Sequence, residues 1–165
     1  MEILVKSRYF FENIRGTAEE TALFSKFRVI SINSIRIPEE PPFSQEYWNE
    51  ENVLILRFDD VDDPNDEFHQ RGHAMTEADA EAIACFVETA DQRPIIVHCT
   101  AGISRSGAIG ATLNEYFNKK CTLNESDHDA FWVQNRNVSP NLHVMKLLWR
   151  HLQLENVKCK MKCTD

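Results

Sequence analysis

Apolar and β-branched residues gather in four short runs, Ile3–Val5, Phe27–Ile32, Val53–Phe58 and Pro94–Val97, set apart by polar stretches. Runs this short, bounded by Pro, Asn and Asp, read as strands. Val53–Phe58 and Pro94–Val97 are apolar almost throughout and are predicted to lie buried. Between them Thr76 stands before Glu77 and Asp79 as a cap, and Ala80, Ile83, Ala84 and Val87 recur at i, i+3, i+4 and i+7, which predicts a helix. Beyond Cys99 the period becomes helical over Ser106–Phe117, about Glu125–Asn135 and Asn141–Leu154, the last with Leu142, Met145, Trp149 and Leu152 on one stripe. Strands alternating with helices predict an α/β domain, with a central, mostly parallel sheet of about four to five strands flanked by helices.

Composition narrows this picture. A chain of 165 residues, 42% hydrophobic and 27% charged, suffices for one domain with a real core, and no repeat or linker marks a second. The expected domain is 1–157, with 158–165 as a flexible tail because its Lys and Cys alternate without apolar periodicity. No apolar run is long enough for a membrane span, and a basic region followed by an apolar stretch is missing at the start, so neither a span nor a secretory signal is expected. The net charge of −8 repels nucleic acid and anionic membrane, and a monomer is expected. Five cysteines (Cys85, Cys99, Cys121, Cys159, Cys163), an odd number, point to reduced thiols in a cytoplasm.

The chemistry concentrates after the last apolar run. His98, Cys99, Thr100, Ala101, Gly102, Ile103, Ser104, Arg105 and Ser106 lie between a strand and a helix. From composition, the joint occurrence of His, Cys, Gly, Arg and Ser at these spacings has a chance of about 3 in 100,000. A loop of successive backbone N–H groups closing on a helix N-terminus makes a nest for a tetrahedral oxyanion. Arg105 can add two parallel donors to two oxygens of that anion, which Lys cannot. The same field favours a thiolate, the nucleophilic form of Cys99.

This stretch, His98-Cys99, five residues, then Arg105-Ser106, resembles the signature loop of the cysteine-dependent protein tyrosine phosphatases, and with this chain length the small dual-specificity-like branch. The resemblance implies a phosphatase-like fold and two-step hydrolysis of a phosphorylated protein or peptide. Cys99 attacks phosphorus, a cysteinyl-phosphate forms, and water releases phosphate, with no metal and no cofactor. It implies that residues Thr100 to Arg105 bind the phosphoryl group, that Ser106 helps sulfur to leave, and that His98 orders the loop.

The mechanism also needs a carboxylic acid to protonate the leaving oxygen. Asp59, Asp60, Asp62, Asp63, Asp66 and Glu67 follow the third strand. The family's pattern of apolar, variable, apolar, variable, Asp is matched by Leu56, Arg57, Phe58, Asp59, Asp60, which selects Asp60. Asp62 is the alternative, on the same face of an extended segment. The insert that follows, with His69, Arg71, Gly72 and His73, reads either as a mobile lid or as a solvated loop. Val138, Ser139, Pro140 and Asn141 resemble the family's Pro-Asn that opens the last helix and braces the loop, although helix capping alone also explains Asn141. Cys85 is expected to be buried, out of reach of Cys99. Competing functions are a catalytically silent phosphate-binding module and another oxyanion-handling Cys enzyme, an arsenate reductase or sulfurtransferase. The loop has no basic side chain besides Arg105, which disfavours a phosphoinositide substrate. Phosphotyrosine is the expected substrate, with phosphoserine and phosphothreonine left open.

Overall fold

Four strands, β1 (Ile3–Ser7), β2 (Arg28–Asn33), β3 (Val53–Arg57) and β4 (Ile95–Cys99), pair in the order β1, β4, β2, β3, and every pair is parallel. The structure is a computed structural model and describes residues 1–65, 72–89 and 91–154. Six α-helices flank the sheet among these residues: α1 (Arg8–Ile14), α2 (Ala18–Lys26), α3 (Glu77–Val87), α4 (Arg105–Asn114), α5 (Glu125–Gln134) and α6 (Leu142–Leu154). A π-helical stretch, Glu115–Cys121, continues α4. The expected single-domain α/β architecture is therefore present, with four strands and no antiparallel pair among the described residues.

Side-chain alternation along the two central strands divides the core. Ile30 and Ile32 of β2, with Ile95, Val97 and Cys99 of β4, join residues of α3, α4 and α6 in one apolar cluster. Val29 and Ile96 face the other way, into a cluster with Phe11, Ile14, Leu23, Phe24 and Phe43. Each fully buried side chain of this kind stabilises the fold by about 1.5–3 kcal/mol. On the second face Phe11, Phe24, Phe43 and Tyr47 form ring contacts, with Phe24 stacked on Tyr47 at 4.1 Å. Glu20, buried on α2, accepts from the Ser44 N–H and hydroxyl at 2.8 and 2.7 Å, which pins the segment leaving β2 to this face.

The structure corrects several expectations. Helices α1 and α2 were not legible in the apolar pattern: each is short, and their anchors are aromatic rings against one sheet face. Strand β3 is not buried as predicted. Only Leu56 within it is buried, because β3 takes the sheet edge while β2, buried at all six positions, takes the interior. On α6 the buried residues are Val144, Leu147, Leu148 and Leu152, while Leu142 is 60% exposed, so the stripe is rotated from the predicted one. Cys85 lies on the outer face of α3 and is exposed. Among the described residues no helix is long and apolar enough to cross a membrane. The predicted tail 158–165, with Cys159 and Cys163, lies outside the described residues, as do Asp66, Glu67, His69 and Arg71.

Because all strands run the same way, their C-terminal ends share one edge of the sheet. The segments leaving β1, β2, β3 and β4 therefore meet there, and that edge carries the site.

Candidate active site

Cys99 ends β4 and points, by alternation, to the face covered by α4. The chain from Thr100 to Ser104 then loops back to start α4 at Arg105. Gly102 makes this return feasible. Its φ of +73° suits glycine, and a Cβ there would lie 2.6 Å from Ser7 N and 2.7 Å from the Lys6 carbonyl carbon. The Arg8 N–H donates to the Thr100 carbonyl at 3.1 Å, so the end of β1 holds the outer side of the loop. Buried at every position, α4 directs its positive end at this loop.

Within the loop, Cys99 Sγ accepts the Gly102 N–H at 3.3 Å and lies 3.1 Å from Ser106 Oγ, and both Cys99 and Ser106 are buried. Arg105 is 7% exposed. Its Nη1 donates to the Phe58 carbonyl and its Nη2 to Thr100 Oγ1, both at 2.9 Å, while its buried Nε has no partner among the described residues. An orphaned buried guanidinium donor is costly unless an anion meets it. Among the described residues, the buried side-chain atoms without a hydrogen-bond partner are Arg8 Nη1, Asn33 Oδ1, His98 Nδ1 and Arg105 Nε, on the loop or the strand ends and helix start beside it.

His98 faces away from Cys99, toward α1. Its Nε2 is 2.8 Å from Ser31 Oγ on the paired position of β2, and its ring lies 4.6 Å from Phe11. Burial pushes its pKa down to about 3, against an opposing contribution from the Cys99 backbone and with help from the charges of Arg8 and Arg105. A neutral, enclosed imidazole of this kind supports the strand end and takes no part in proton transfer near neutral pH.

The two neighbouring aspartates differ sharply. Asp60 is exposed, and its Oδ1 accepts from Ser104 Oγ at 2.7 Å and Asn141 Nδ2 at 2.8 Å. Asp59 is buried, with Oδ1 accepting from the Ser34 hydroxyl at 2.5 Å and the Ile35 and Arg36 N–H groups at 3.0 and 3.1 Å, and Oδ2 from the His73 N–H at 2.9 Å. Burial would raise its pKa, but the hydrogen bonds from His73, Ser34, Arg36 and Ile35 outweigh it and hold the carboxyl at about 2. Asp59 is thus a permanent anion that organises three segments. The Val61 N–H returns to the Asp59 carbonyl at 3.0 Å, so the chain turns here and Asp62 does not continue an extended run from Asp60. Asp62 is exposed on the surface.

Asn141 fits the capping reading of its sequence context, and its side chain reaches Asp60 rather than the loop. Its Oδ1 caps α6 by accepting the Val144 N–H at 3.0 Å, and its Nδ2 holds Asp60, while its N–H reaches the Ser104 carbonyl at 3.4 Å. The Ser139 N–H donates to the Ile103 carbonyl at 3.2 Å. Ala101 and Ile103 present backbone to the loop, and Ile103 is 40% exposed. Arg136 is exposed; its neighbour Asn135 is the buried residue, bonded to Val5 N at 2.8 Å. His73 is pinned to Asp59, its N–H donating to the Asp59 carboxylate and its carbonyl accepting the Asp59 N–H at 2.7 Å, and Gly72 packs so close that an added Cβ would lie 3.3 Å from Asp59 Cβ, whereas His69 and Arg71 lie outside the described residues.

Sequence reasoning missed Asp59 as a brace and Glu39 altogether. Thr100 Oγ1 is 3.1 Å from both Oε1 and Oε2 of Glu39, a residue of the segment following β2. No local pattern links positions so far apart in the chain.

At the level of sequence, no family model and no curated protein matches the chain. Solved structures do. Human DUSP28 superposes with a TM-score of 0.51 at 18% identity, covering 94% of each chain. PTPMT1 superposes at 0.52 and 18% identity, covering 95% of each chain. The fold is phosphatase-like. PTPMT1 in complex with PI(5)P gives the same picture, a TM-score of 0.51 at 15% identity over 95% of this chain and 94% of that one. In this chain the loop from Cys99 to Arg105 lies at the C-terminal edge of the central sheet.

Proposed function

We propose that the chain is a cysteine-dependent phosphatase of the small dual-specificity-like branch, acting on phosphotyrosine in proteins and, where the pocket is shallow enough, on phosphoserine and phosphothreonine. The observation that carries the reading is the meeting of Cys99 Sγ, the orphaned Nε of Arg105 and the exposed carboxylate of Asp60 around one loop. In this reading the phosphoryl oxygens take the N–H groups from Thr100 to Arg105 and the free guanidinium donors. The Cys99 thiolate attacks phosphorus in line. The P–O bond breaks, and the leaving oxygen takes the proton of Asp60. Water then gives a proton to the Asp60 carboxylate and attacks phosphorus, and sulfur leaves with the Ser106 hydroxyl donating to it over the 3.1 Å contact. Asn141 and Ser104 aim Asp60, and His98 secures the strand end. No step calls for a metal or a cofactor.

The net charge of −8 supports a protein substrate over nucleic acid or an anionic bilayer. The PTPMT1 complex makes PI(5)P the alternative to test, although Thr100, Ala101, Gly102, Ile103 and Ser104 supply no cation for a second phosphate. We read a cytoplasmic monomer.

The deciding experiment is single-turnover hydrolysis of matched phosphotyrosine and phosphothreonine peptides and of PI(5)P, without metal and with a reductant. Peptide turnover by wild type, none by Cys99→Ser and slow turnover by Asp60→Asn are expected. Binding without turnover on all three substrates would replace the enzyme with a sequestering module.

A further inference from the structure

A carboxylate beside an oxyanion pocket repels the ligand the pocket is built for, so Glu39 calls for an explanation. Its side chain is only 13% exposed and is held in place. Glu39 Oε2 accepts the Ser34 N–H at 2.9 Å, the Glu39 N–H returns to the Ser34 carbonyl at 3.3 Å, and Ser34 is fixed in turn to Asp59. Arg8 Nη1 stands 4.0 Å from the same oxygen, while Arg8 Nε is engaged by Glu12 at 2.8 Å.

Donor and acceptor counting assigns the rest. Thr100 Oγ1 lies 3.1 Å from both Glu39 oxygens and 2.9 Å from Arg105 Nη2. Guanidinium only donates and a carboxylate only accepts, so the single hydroxyl proton goes to Glu39 and a lone pair faces Arg105. A free threonine hydroxyl would rotate and present its proton to the arginine part of the time. Arg105 Nη1 is held by the Phe58 carbonyl on the other side. With both terminal nitrogens held, the guanidinium plane is fixed, and the buried Nε is left without a hydrogen-bond partner among the described residues.

We propose that Glu39 is a positioning residue that orients Arg105 through the Thr100 hydroxyl for gripping a phosphoryl group. The inference rests on the phosphatase reading for the role of Arg105, but its test does not need turnover. Orientation and through-space repulsion act in opposite directions: if Glu39 only repels anions, removing it tightens oxyanion binding, and if it positions Arg105, removing it weakens binding.

The probe is tungstate, titrated calorimetrically into wild type, Glu39→Ala, Glu39→Gln, Thr100→Val and the Glu39→Ala/Thr100→Val double variant, beside kcat and KM on para-nitrophenyl phosphate. Expected are about tenfold weaker tungstate binding for Glu39→Ala, a smaller loss for Glu39→Gln, which keeps one acceptor, and a loss for Thr100→Val that Glu39→Ala does not deepen. A residue that merely supports the loop would lower the melting temperature and lose affinity equally in both Thr100 backgrounds. Unchanged or tighter tungstate binding in Glu39→Ala, or additive losses in the double variant, overturns the proposal. If Glu39→Ala does not fold, Glu39→Gln and Thr100→Val carry the same comparison. Wild type that binds tungstate but hydrolyses nothing refutes the enzyme reading alone. Wild type that does neither refutes both.

Discussion

Replacing Asp59 by Asn keeps size and shape while removing one charge, and the structure lets its cost be worked out. Oδ1 would keep the Ser34, Ile35 and Arg36 donors, now bonded to a neutral acceptor. Oδ2 becomes an NH2 group facing the His73 N–H, so one hydrogen bond is lost and two donors oppose each other in a buried place. Hydrogen bonds to charged groups contribute about 1.5–3 kcal/mol, and leaving a buried donor unmet costs about 1–3 kcal/mol, so a loss of about 2–4 kcal/mol is expected. Linkage gives an independent figure. A carboxyl held at about 2 against an ordinary 3.8 contributes about 2 kcal/mol when ionised. Since its folded pKa is depressed, that contribution is complete above pH 3.8 and is lost as pH falls through about 2. Urea unfolding followed by tryptophan fluorescence at pH 6, 4 and 3 measures both. The gap between wild type and Asp59→Asn is expected to be about 2–4 kcal/mol at pH 6 and to shrink toward pH 3. A gap below about 0.5 kcal/mol at pH 6, or one indifferent to pH, refutes the account of Asp59 as a permanently charged brace.

Asp60→Asn is expected to slow formation of the cysteinyl-phosphate, read in the pre-steady state, by about 10²–10⁴ from phosphothreonine peptide while largely sparing that step from para-nitrophenyl phosphate, whose leaving group needs little protonation; equal losses in this step would remove Asp60 as the acid. Cys99→Ser should abolish turnover and retain phosphopeptide binding, measured by calorimetry, and residual turnover in it would end the thiolate mechanism. Gly102→Ala places a methyl group against the backbone of Lys6 and Ser7 at a φ of +73°, so a loss of about 2–4 kcal/mol and of tungstate binding is expected. A variant of wild-type melting temperature contradicts the close approach of β1 to the loop. His98, with its pKa pushed down to about 3, contributes stability that is complete above about pH 6.5 and is lost as pH falls toward 3. The advantage of wild type over His98→Asn should accordingly shrink by up to about 1.4 kcal/mol per pH unit in that window, and a pH-independent difference counts against an enclosed neutral imidazole.

The legible parts of this chain are those whose information is local. Thr76 and Asp79 form the reciprocal cap expected of them, and the strand, loop and helix around Cys99 occupy adjoining residues. What escaped the sequence depends on partners far away in the chain. Nothing near Val53 says that β3 pairs on one side only, and nothing near Leu142 says which side of α6 meets α3 and α4. Asp59 and Asp60 are chemically identical neighbours. Their separation into a buried brace and an exposed acid candidate comes from Ser34 and His73 on one side and Ser104 and Asn141 on the other. Glu39 is hidden for the same reason, 61 residues from Thr100.

The order of strands also dictates how the molecule must be assembled. Of the four strands, β1 is made first and, among the described residues, pairs only with β4, which is made last and also closes the open side of β2. A nascent chain that has yet to expose residues 95–99 therefore holds a lone strand and a two-stranded fragment with an unprotected edge. Contacts this distant in sequence make the final step slow. The strand that completes the sheet also carries Cys99, so closure of the sheet and placement of this thiol are one event, which α4 and α6 then cover.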